Sequence, residues 1–335
     1  VAYRDSKEGK VLINPRTDYL ANLDELPLFS SVDIDLARYK PAPNQVRRLP
    51  AIPYITSRGC PYPCTFCEVH VIHGKSVRNI GVDRVMEDLW NLKRKFNAAS
   101  IYFLDSTFTI NRKYVVELCE RMIEEKLNME WWCCSRTDRV DRELLTLMKK
   151  AGCDTISYGI ESGNMESLKV LKKAGTCTPE QQMEAVLMTK EVNIKVLCSF
   201  ILGVPGENKD MVENTIRYAK KMSPHTALFY LPTPYPGSEL FEICMKDGGI
   251  RPDYKWEDLL SIDYENPVYI NPLLGKDLMK YYYRKAFRDF YFSPRTIINN
   301  LKTIKDFHDV KKYFKATSAL LGFFSYGKIN LPTDT

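Results

Sequence analysis

Ile52-Pro53-Tyr54-Ile55-Thr56 runs through Ser57 and Arg58 into Gly59-Cys60-Pro61-Tyr62-Pro63-Cys64-Thr65-Phe66-Cys67, so an apolar strand-like run opens directly into a loop carrying three cysteines. Working outward, five more runs of strand character follow, at 100–104, 129–134, 155–160, 194–202 and 227–231. Helical periodicity fills the gaps between them. In the first gap Val82, Val85, Met86, Leu89, Leu92 and Phe96 share one face, and in the next Val115, Leu118, Cys119, Met122 and Ile123 do the same. Two boundaries are written in local chemistry. Gly152 stands where a helix over 144–151 needs a left-handed residue, and Thr178-Pro179-Glu180-Gln181 offers an N-cap, a proline at the first helical position and a capping-box glutamine. Strands alternating with helices predict an α/β fold with a parallel sheet, either an incomplete barrel or a doubly wound sheet, and both place sites at the C-terminal strand ends.

The three cysteines have the spacing C-x3-C-x2-C. Iron–sulfur clusters usually take four cysteine ligands, so three from one loop, with no evident fourth, leave one iron of a cubane open. A second reading is a structural Cys3His zinc site completed by His70, two residues beyond Cys67, which has the right ligand types for a closed tetrahedral centre. The position of the loop, between the first strand and first helix of a large α/β domain, suits a working site. The other seven cysteines (Cys119, Cys133, Cys134, Cys153, Cys177, Cys198 and Cys244) lack a partner at ligand spacing and read as small buried apolar residues. Ten cysteines and no signal peptide point to a reducing cytosol.

The bulk composition agrees with a globular enzyme. Hydrophobic residues make up 44% and charged residues 27% of the 335, and no apolar tract is long enough to cross a bilayer as a helix. A net charge of +6, from 48 basic and 42 acidic residues scattered along the chain, gives no sign of a nucleic-acid-binding tail. Residues 1–50 read as an extended lead-in, 51–244 as the core and 245–335 as a helical C-terminal appendage. Within the last, 316–326 reads as a packed helix.

With an aromatic residue, Phe66, before the third cysteine, the loop resembles that of the radical S-adenosylmethionine (SAM) superfamily. The resemblance implies an incomplete (β/α) TIM-like barrel and a [4Fe–4S] cluster on Cys60, Cys64 and Cys67. Its open iron chelates the methionine end of SAM, whose reductive cleavage gives a 5′-deoxyadenosyl radical. It also implies SAM contacts at successive strand ends. Asp105-Ser106-Thr107-Phe108 faces the methionine ammonium, where a carboxylate makes a charge-assisted hydrogen bond. Ser135-Arg136 and Gly159-Ile160-Glu161-Ser162 face the SAM carboxylate and ribose, and the Gly203-Val204-Pro205-Gly206-Glu207 turn lies near the adenine. Each has a plain alternative: Arg136 and Asp138 as a surface ion pair, Glu161 as a helix-start carboxylate, Gly203 to Gly206 as a turn.

The flanks resemble the cobalamin-type branch. Ala2-Tyr3-Arg4-Asp5 and Leu23-Asp24-Glu25-Leu26-Pro27 look like the linker from a cobalamin-binding domain, and Ala286-Phe287-Arg288-Asp289-Phe290-Tyr291-Phe292-Ser293-Pro294 like the helix after the barrel. That branch includes methyltransferases acting on unactivated carbon and the anaerobic Mg-protoporphyrin monomethyl ester oxidative cyclase. The four histidines (His70, His73, His225, His308) make no D-x-H-x-x-G loop for cobalt. Either the cobalamin domain lies upstream or the enzyme works without it. There is no second cysteine cluster and no basic C-terminal module, which disfavours peptide maturases and tRNA methylthiotransferases. The expectation is an oxygen-sensitive cytosolic radical SAM enzyme, with cobalamin-dependent C-methylation first, oxidative cyclisation second and a non-catalytic zinc-stabilised binding protein as the rival of another class. Its partners are an organic substrate such as a lipid, polyketide or tetrapyrrole and a flavodoxin- or ferredoxin-type reductant, with no nucleic acid.

Overall fold

A computed structural model describes residues 2–4, 9–14, 19–32, 48–173, 177–304 and 310. The strands are β1 Ala2–Arg4, β2 Val11–Ile13, β3 Ala51–Tyr54, β4 Ser57–Arg58, β5 Arg78–Asn79, β6 Ser100–Phe103, β7 Glu130–Ser135, β8 Cys153–Glu161, β9 Lys195–Ile201 and β10 Thr226–Tyr230. The helices are α1 Val69–His73, α2 Val82–Phe96, α3 Arg112–Glu124, α4 Arg142–Lys150, α5 Met165–Val170, α6 Pro179–Glu191, α7 Lys209–Met222, α8 Glu239–Lys246, α9 Gly275–Tyr291 and α10 Pro294–Leu301. All six expected strands join one parallel sheet in the order β10-β9-β8-β7-β6-β3, each beside its neighbour in sequence, which is the open arc of an incomplete barrel. Two small antiparallel pairs, β1 with β2 and β4 with β5, stand outside it.

Strand alternation divides the sheet. Ile52, Phe103, Trp131, Ile156, Tyr158, Cys198, Phe200 and Phe229 point outward and form one core with the apolar faces of α2, α3, α4 and α7. The helix boundaries follow the chemistry read from the sequence: Thr178 and Gln181 form the reciprocal capping box with Pro179 in the first turn, and Gly152 holds φ +105° after α4. Asn111 and Asp141 cap α3 and α4 by accepting from Tyr114 and Leu144 backbone N–H groups.

Two regions differ from the expectation. The lead-in is not extended throughout: Leu23–Glu25 and Phe29–Ser31 are short 3-10 turns fastened to the barrel. Asp88 of α2, buried, accepts from the Phe29 and Ser30 N–H groups at 2.8 Å and from the Tyr54 hydroxyl at 3.1 Å, and Asp24 accepts from Gly81 N–H at 2.7 Å. In the C-terminal region α9 packs on α7 and β10, and its Met279, Tyr282, Tyr283, Ala286 and Phe290 enter the main core. Spacing of three and four residues puts these on one helical face, so the aromatic run closes the outer layer over β10. The segment 316–326 and His308 lie outside the described residues. Among the described residues no helix is long and apolar enough to cross a membrane.

Candidate SAM and cluster site

The cysteine loop leaves β4 at the C-terminal end of β3 and is clamped along its length. Gly59 has φ +99°, and a Cβ there would lie 2.0 Å from the Ser76 carbonyl oxygen, so only glycine fits between β4 and the returning chain. The Cys60 N–H donates to Gly74 O (3.2 Å) and the Cys67 N–H to Cys64 O (3.2 Å). Thr65 fixes the middle: its N–H and hydroxyl donate to Leu171 O and Val170 O at the end of α5, while its carbonyl accepts from Leu240 N–H in α8. Phe66 packs against Leu171, Ile201 and Val204 on one side and the Leu240, Cys244 and Tyr269 group on the other.

Two cations from distant parts of the chain face this loop. Arg136, buried at the end of β7, sets a guanidinium nitrogen 3.9 Å from the Cys64 Sγ and lies 3.7 Å above the Tyr62 ring, held there by Asp138 at 2.9 Å. Lys173, buried just after α5, donates to Glu161 Oε1 and to Gly159 O, both at 2.8 Å, and stands 6.0 Å from the Phe66 ring. Burial pushes the Cys64 and Cys67 thiols up. For Cys64 the positive charges of Lys173 and Arg136 work against that, and for Cys67 a hydrogen bond from the Val69 N–H and then Lys173 do so.

Glu161 reaches its partner through a strained turn. At the end of β8 the register with β9 slips between Gly159 and Glu161, and Glu161 takes φ +67°, a conformation costing a side-chain-bearing residue ~1 kcal/mol or more. Gly159 leaves the room: a Cβ there would fall 2.3 Å from Glu161 Oε1 and 2.8 Å from Lys173 Nζ.

The remaining expected residues form a supporting layer. Asp105, buried after β6, accepts from Thr56 N–H (3.1 Å), Thr56 Oγ1 (2.8 Å) and Ser57 Oγ (2.5 Å), so its carboxylate ties β6 to the start of the cysteine loop. Ser106 beside it is exposed. Ser135 is buried against the Thr109 hydroxyl. Ser162 and Gly203 meet on one buried carboxylate, that of Glu207, which accepts from Gly203 N–H (2.8 Å), Val204 N–H (3.1 Å), Ser167 Oγ (2.5 Å) and Ser162 Oγ (3.4 Å). Asn271 clamps the same turn from outside, donating to Val204 O and Glu207 O. The structure therefore brings Cys64, Phe66, Arg136 and Glu161 together around Lys173, and keeps Asp105, Ser135, Ser162 and Gly203 as struts. Lys173, Gly159, Thr65 and Asn271 escaped sequence reasoning.

Three thiols in one clamped loop, Cys60 buried and Cys64 and Cys67 half-buried, opposed by two cations, are a donor set that fits an iron–sulfur cluster with an open position. Among the described residues no three His, Cys, Asp or Glu side chains are gathered for a single metal ion, and the ring nitrogens of His70 are enclosed without a hydrogen-bond partner.

The profile of the radical SAM superfamily matches residues 54–219, from the end of β3 through most of α7. The uncharacterized methyltransferase PH0819 of Pyrococcus horikoshii is 33% identical over 301 residues, 90% of this chain and 63% of that protein. The anaerobic magnesium-protoporphyrin IX monomethyl ester cyclase of Rubrivivax gelatinosus is 27% identical over 283 residues, 83% of this chain and 47% of that protein. The chain thus spans only part of the length of these relatives. In fold it is similar to the cobalamin-dependent S-adenosylmethionine radical enzyme OxsB, solved with aqua-cobalamin and S-adenosylmethionine bound: TM-score 0.64 at 17% identity, over 96% of this chain and 51% of that one. The cysteine loop, the open parallel barrel and these matches agree: the chain belongs to the radical SAM superfamily of enzymes.

Proposed function

We propose that this chain is the SAM-cleaving core of an enzyme that functionalises an unactivated C–H bond, with cobalamin-dependent C-methylation as its reaction. The observation that carries the reading is the clamped loop of Cys60, Cys64 and Cys67 facing Arg136 and Lys173. A [4Fe–4S] cluster held there supplies one-electron cleavage of SAM at its open iron.

The chain's own residues do the rest. The backbone clamps at Cys60, Thr65 and Cys67 fix the three thiolates in place. Arg136 and Lys173 offset their negative charge and offer a cation to the SAM carboxylate; Glu161, held by Lys173, is set for the ribose hydroxyls, and Ser106, exposed beside the committed Asp105, for the methionine ammonium. Phe66 lies beneath Lys173 and limits water around the ion pair. Methyl transfer is supported by the Pyrococcus relative, named a methyltransferase, and the use of cobalamin by the cobalamin-dependent enzyme of like fold. In this reading the lead-in before β3 connects to a cobalamin-binding domain, 51–244 is the catalytic barrel, a flavodoxin- or ferredoxin-type protein delivers electrons, and the free thiols are kept reduced in the cytosol.

Oxidative cyclisation is the second reading, favoured by the Rubrivivax cyclase. The test is anaerobic. Protein reconstituted with iron and sulfide is given SAM and dithionite, and 5′-deoxyadenosine is measured against Cys64→Ala. Product formed only with the intact loop supports SAM cleavage, and product absent although the brown cluster is present overturns it. S-adenosylhomocysteine appearing with added cobalamin and substrate marks methylation; 5′-deoxyadenosine that rises on adding substrate, without S-adenosylhomocysteine, favours cyclisation.

A further inference from the structure

Parallel sheets are ordinarily covered on both faces. Here the helices cover the outer face, and the inner side chains form rungs beneath the cysteine loop. Tyr102 is in register with Trp132 and Trp132 with Thr155; one step nearer the loop, Cys134 is in register with Ser157 and Ser157 with Leu197. Tyr102 on β6, Cys134 on β7 and, on the edge strand β10, Leu228 and Tyr230 are only partly buried, so this concave face is not fully covered.

Its chemistry is uniform. The ionic groups at its two ends are paired, Lys195 with Asp154 at 3.5 Å below and Lys173 with Glu161 at 2.8 Å above. Between them burial pushes the Tyr102 hydroxyl and the Cys134 thiol up to about 12 and raises that of Tyr230, so the wall is uncharged at neutral pH. The Tyr102 and Trp132 rings stack with centroids 4.3 Å apart and planes 18° apart. Trp132 is only 4% exposed, and its indole Nε1–H has no acceptor. A buried donor without an acceptor is destabilising by ~1–3 kcal/mol, and few native groups are left so.

We propose that this concave face binds the substrate, a flat and largely apolar molecule whose uncharged oxygen acceptor meets the Trp132 indole, with Tyr102, Cys134 and Tyr230 as the wall that selects it. The assignment rests on the radical SAM reading, which places the reacting carbon beneath the cysteine loop. A flat body suits the aromatic stack, and the uncharged wall offers no counter-ion to a cationic one.

The test uses Nile red, a flat neutral dye with a ring carbonyl, titrated by fluorescence into the anaerobically reconstituted chain. Cys134→Trp, which fills the concave face, weakens binding at least tenfold. Tyr102→Leu weakens it at least fivefold, and Trp132→Phe, which keeps a stacked ring and removes the N–H, about threefold. Circular dichroism and iron content show that each variant is folded, and Tyr102→Leu carries the test if Cys134→Trp is not. Leu187→Glu, in the groove of about 860 Å³ between α6 and α7 on the outside of the barrel, leaves binding unchanged. Binding indifferent to Tyr102, Trp132 and Cys134, or lost with Leu187→Glu, overturns the assignment. 5′-Deoxyadenosine, measured on the wild-type chain without dye, separates the two readings. Product without inner-face dye binding sinks this inference alone, whereas inner-face dye binding without product sinks the radical SAM reading of this chain and leaves the binding surface standing.

Discussion

Replacing Lys173 by methionine removes the charge and keeps the length of the side chain. Lys173 and Glu161 are each about 6–7% exposed and meet at 2.8 Å, so the substitution leaves a buried carboxylate without its cation. At an effective dielectric of ~20 the Coulomb attraction at that distance is about 6 kcal/mol, but desolvation opposes it, and breaking such pairs by deleting one partner typically costs about 3–5 kcal/mol. The Gly159 carbonyl also loses its donor. We expect a loss of about 3–4 kcal/mol, a large fraction of a total of ~5–15 kcal/mol, which for a chain of this size lowers Tm by roughly 4–6 °C. Anaerobic thermal unfolding of the metal-free protein, followed by circular dichroism, measures it. Adding Glu161→Gln removes the stranded charge and should recover at least half of the loss. A single-variant cost below about 1 kcal/mol, or a double variant no more stable than Lys173→Met, would refute the argument that this pair is a coupled buried unit.

Three further outcomes follow from the same geometry. Alanine at Cys60, Cys64 or Cys67 should abolish both bound iron and SAM cleavage, while Cys153→Ala, in the main core, should retain both; equal loss from all four would remove the ligand assignment. Gly59→Ala places a methyl on the Ser76 carbonyl and should lower reconstituted iron severalfold without altering the far-UV spectrum, and full iron loading would show that the loop does not depend on this approach. His225 accepts the Val196 N–H at Nδ1, and burial lowers its pKa from 6.5 to about 4. The unfolded chain therefore binds a proton between pH 6.5 and 4 that the folded chain refuses, so stability falls by up to about 3 kcal/mol as pH drops through that window; denaturation curves for His225→Gln should lack this slope.

How far the sequence carries depends on whether a signal is local. The six strands appear because each is a short apolar run, and the cysteine loop because its three ligands fall within eight residues. Arg136 and Glu161 are singled out in the sequence because strand ends are where sites form. Lys173 is not, since Lys172-Lys173 after a short helix reads as a pair of solvated cations, and only the fold turns the second inward while the first binds the exposed Glu239. Asp105 shows the opposite case: its placement is foreseen, but the partners at Thr56 and Ser57 that occupy it come from a different strand end. The aromatic spacing of α9 predicts a helix with one apolar face, without saying that the face would cover β10.

The slip at the end of β8 ties these observations together. Had β8 stayed in regular register, Glu161 would continue the alternation and project across the sheet. The extra residue and the positive φ instead turn its carboxylate back over Gly159, into the space that a missing Cβ leaves for Lys173 Nζ. Strain at Glu161, glycine at 159 and the buried ammonium are thus one device, and its product is a fixed cation beside Cys64, Cys67 and Phe66. Gly159→Ala tests the device without deleting a charge. Its methyl meets the flexible ends of both side chains, so the pair shifts rather than breaks, and we expect only about 1–2 kcal/mol of destabilisation, within the usual range for overpacking. Displacing the cation should weaken SAM binding at least fivefold, read by anaerobic equilibrium dialysis, with iron content unchanged. Unaltered SAM affinity would mean that the ion pair serves the fold alone, because a group that orients a ligand cannot be moved by an ångström without the ligand sensing it.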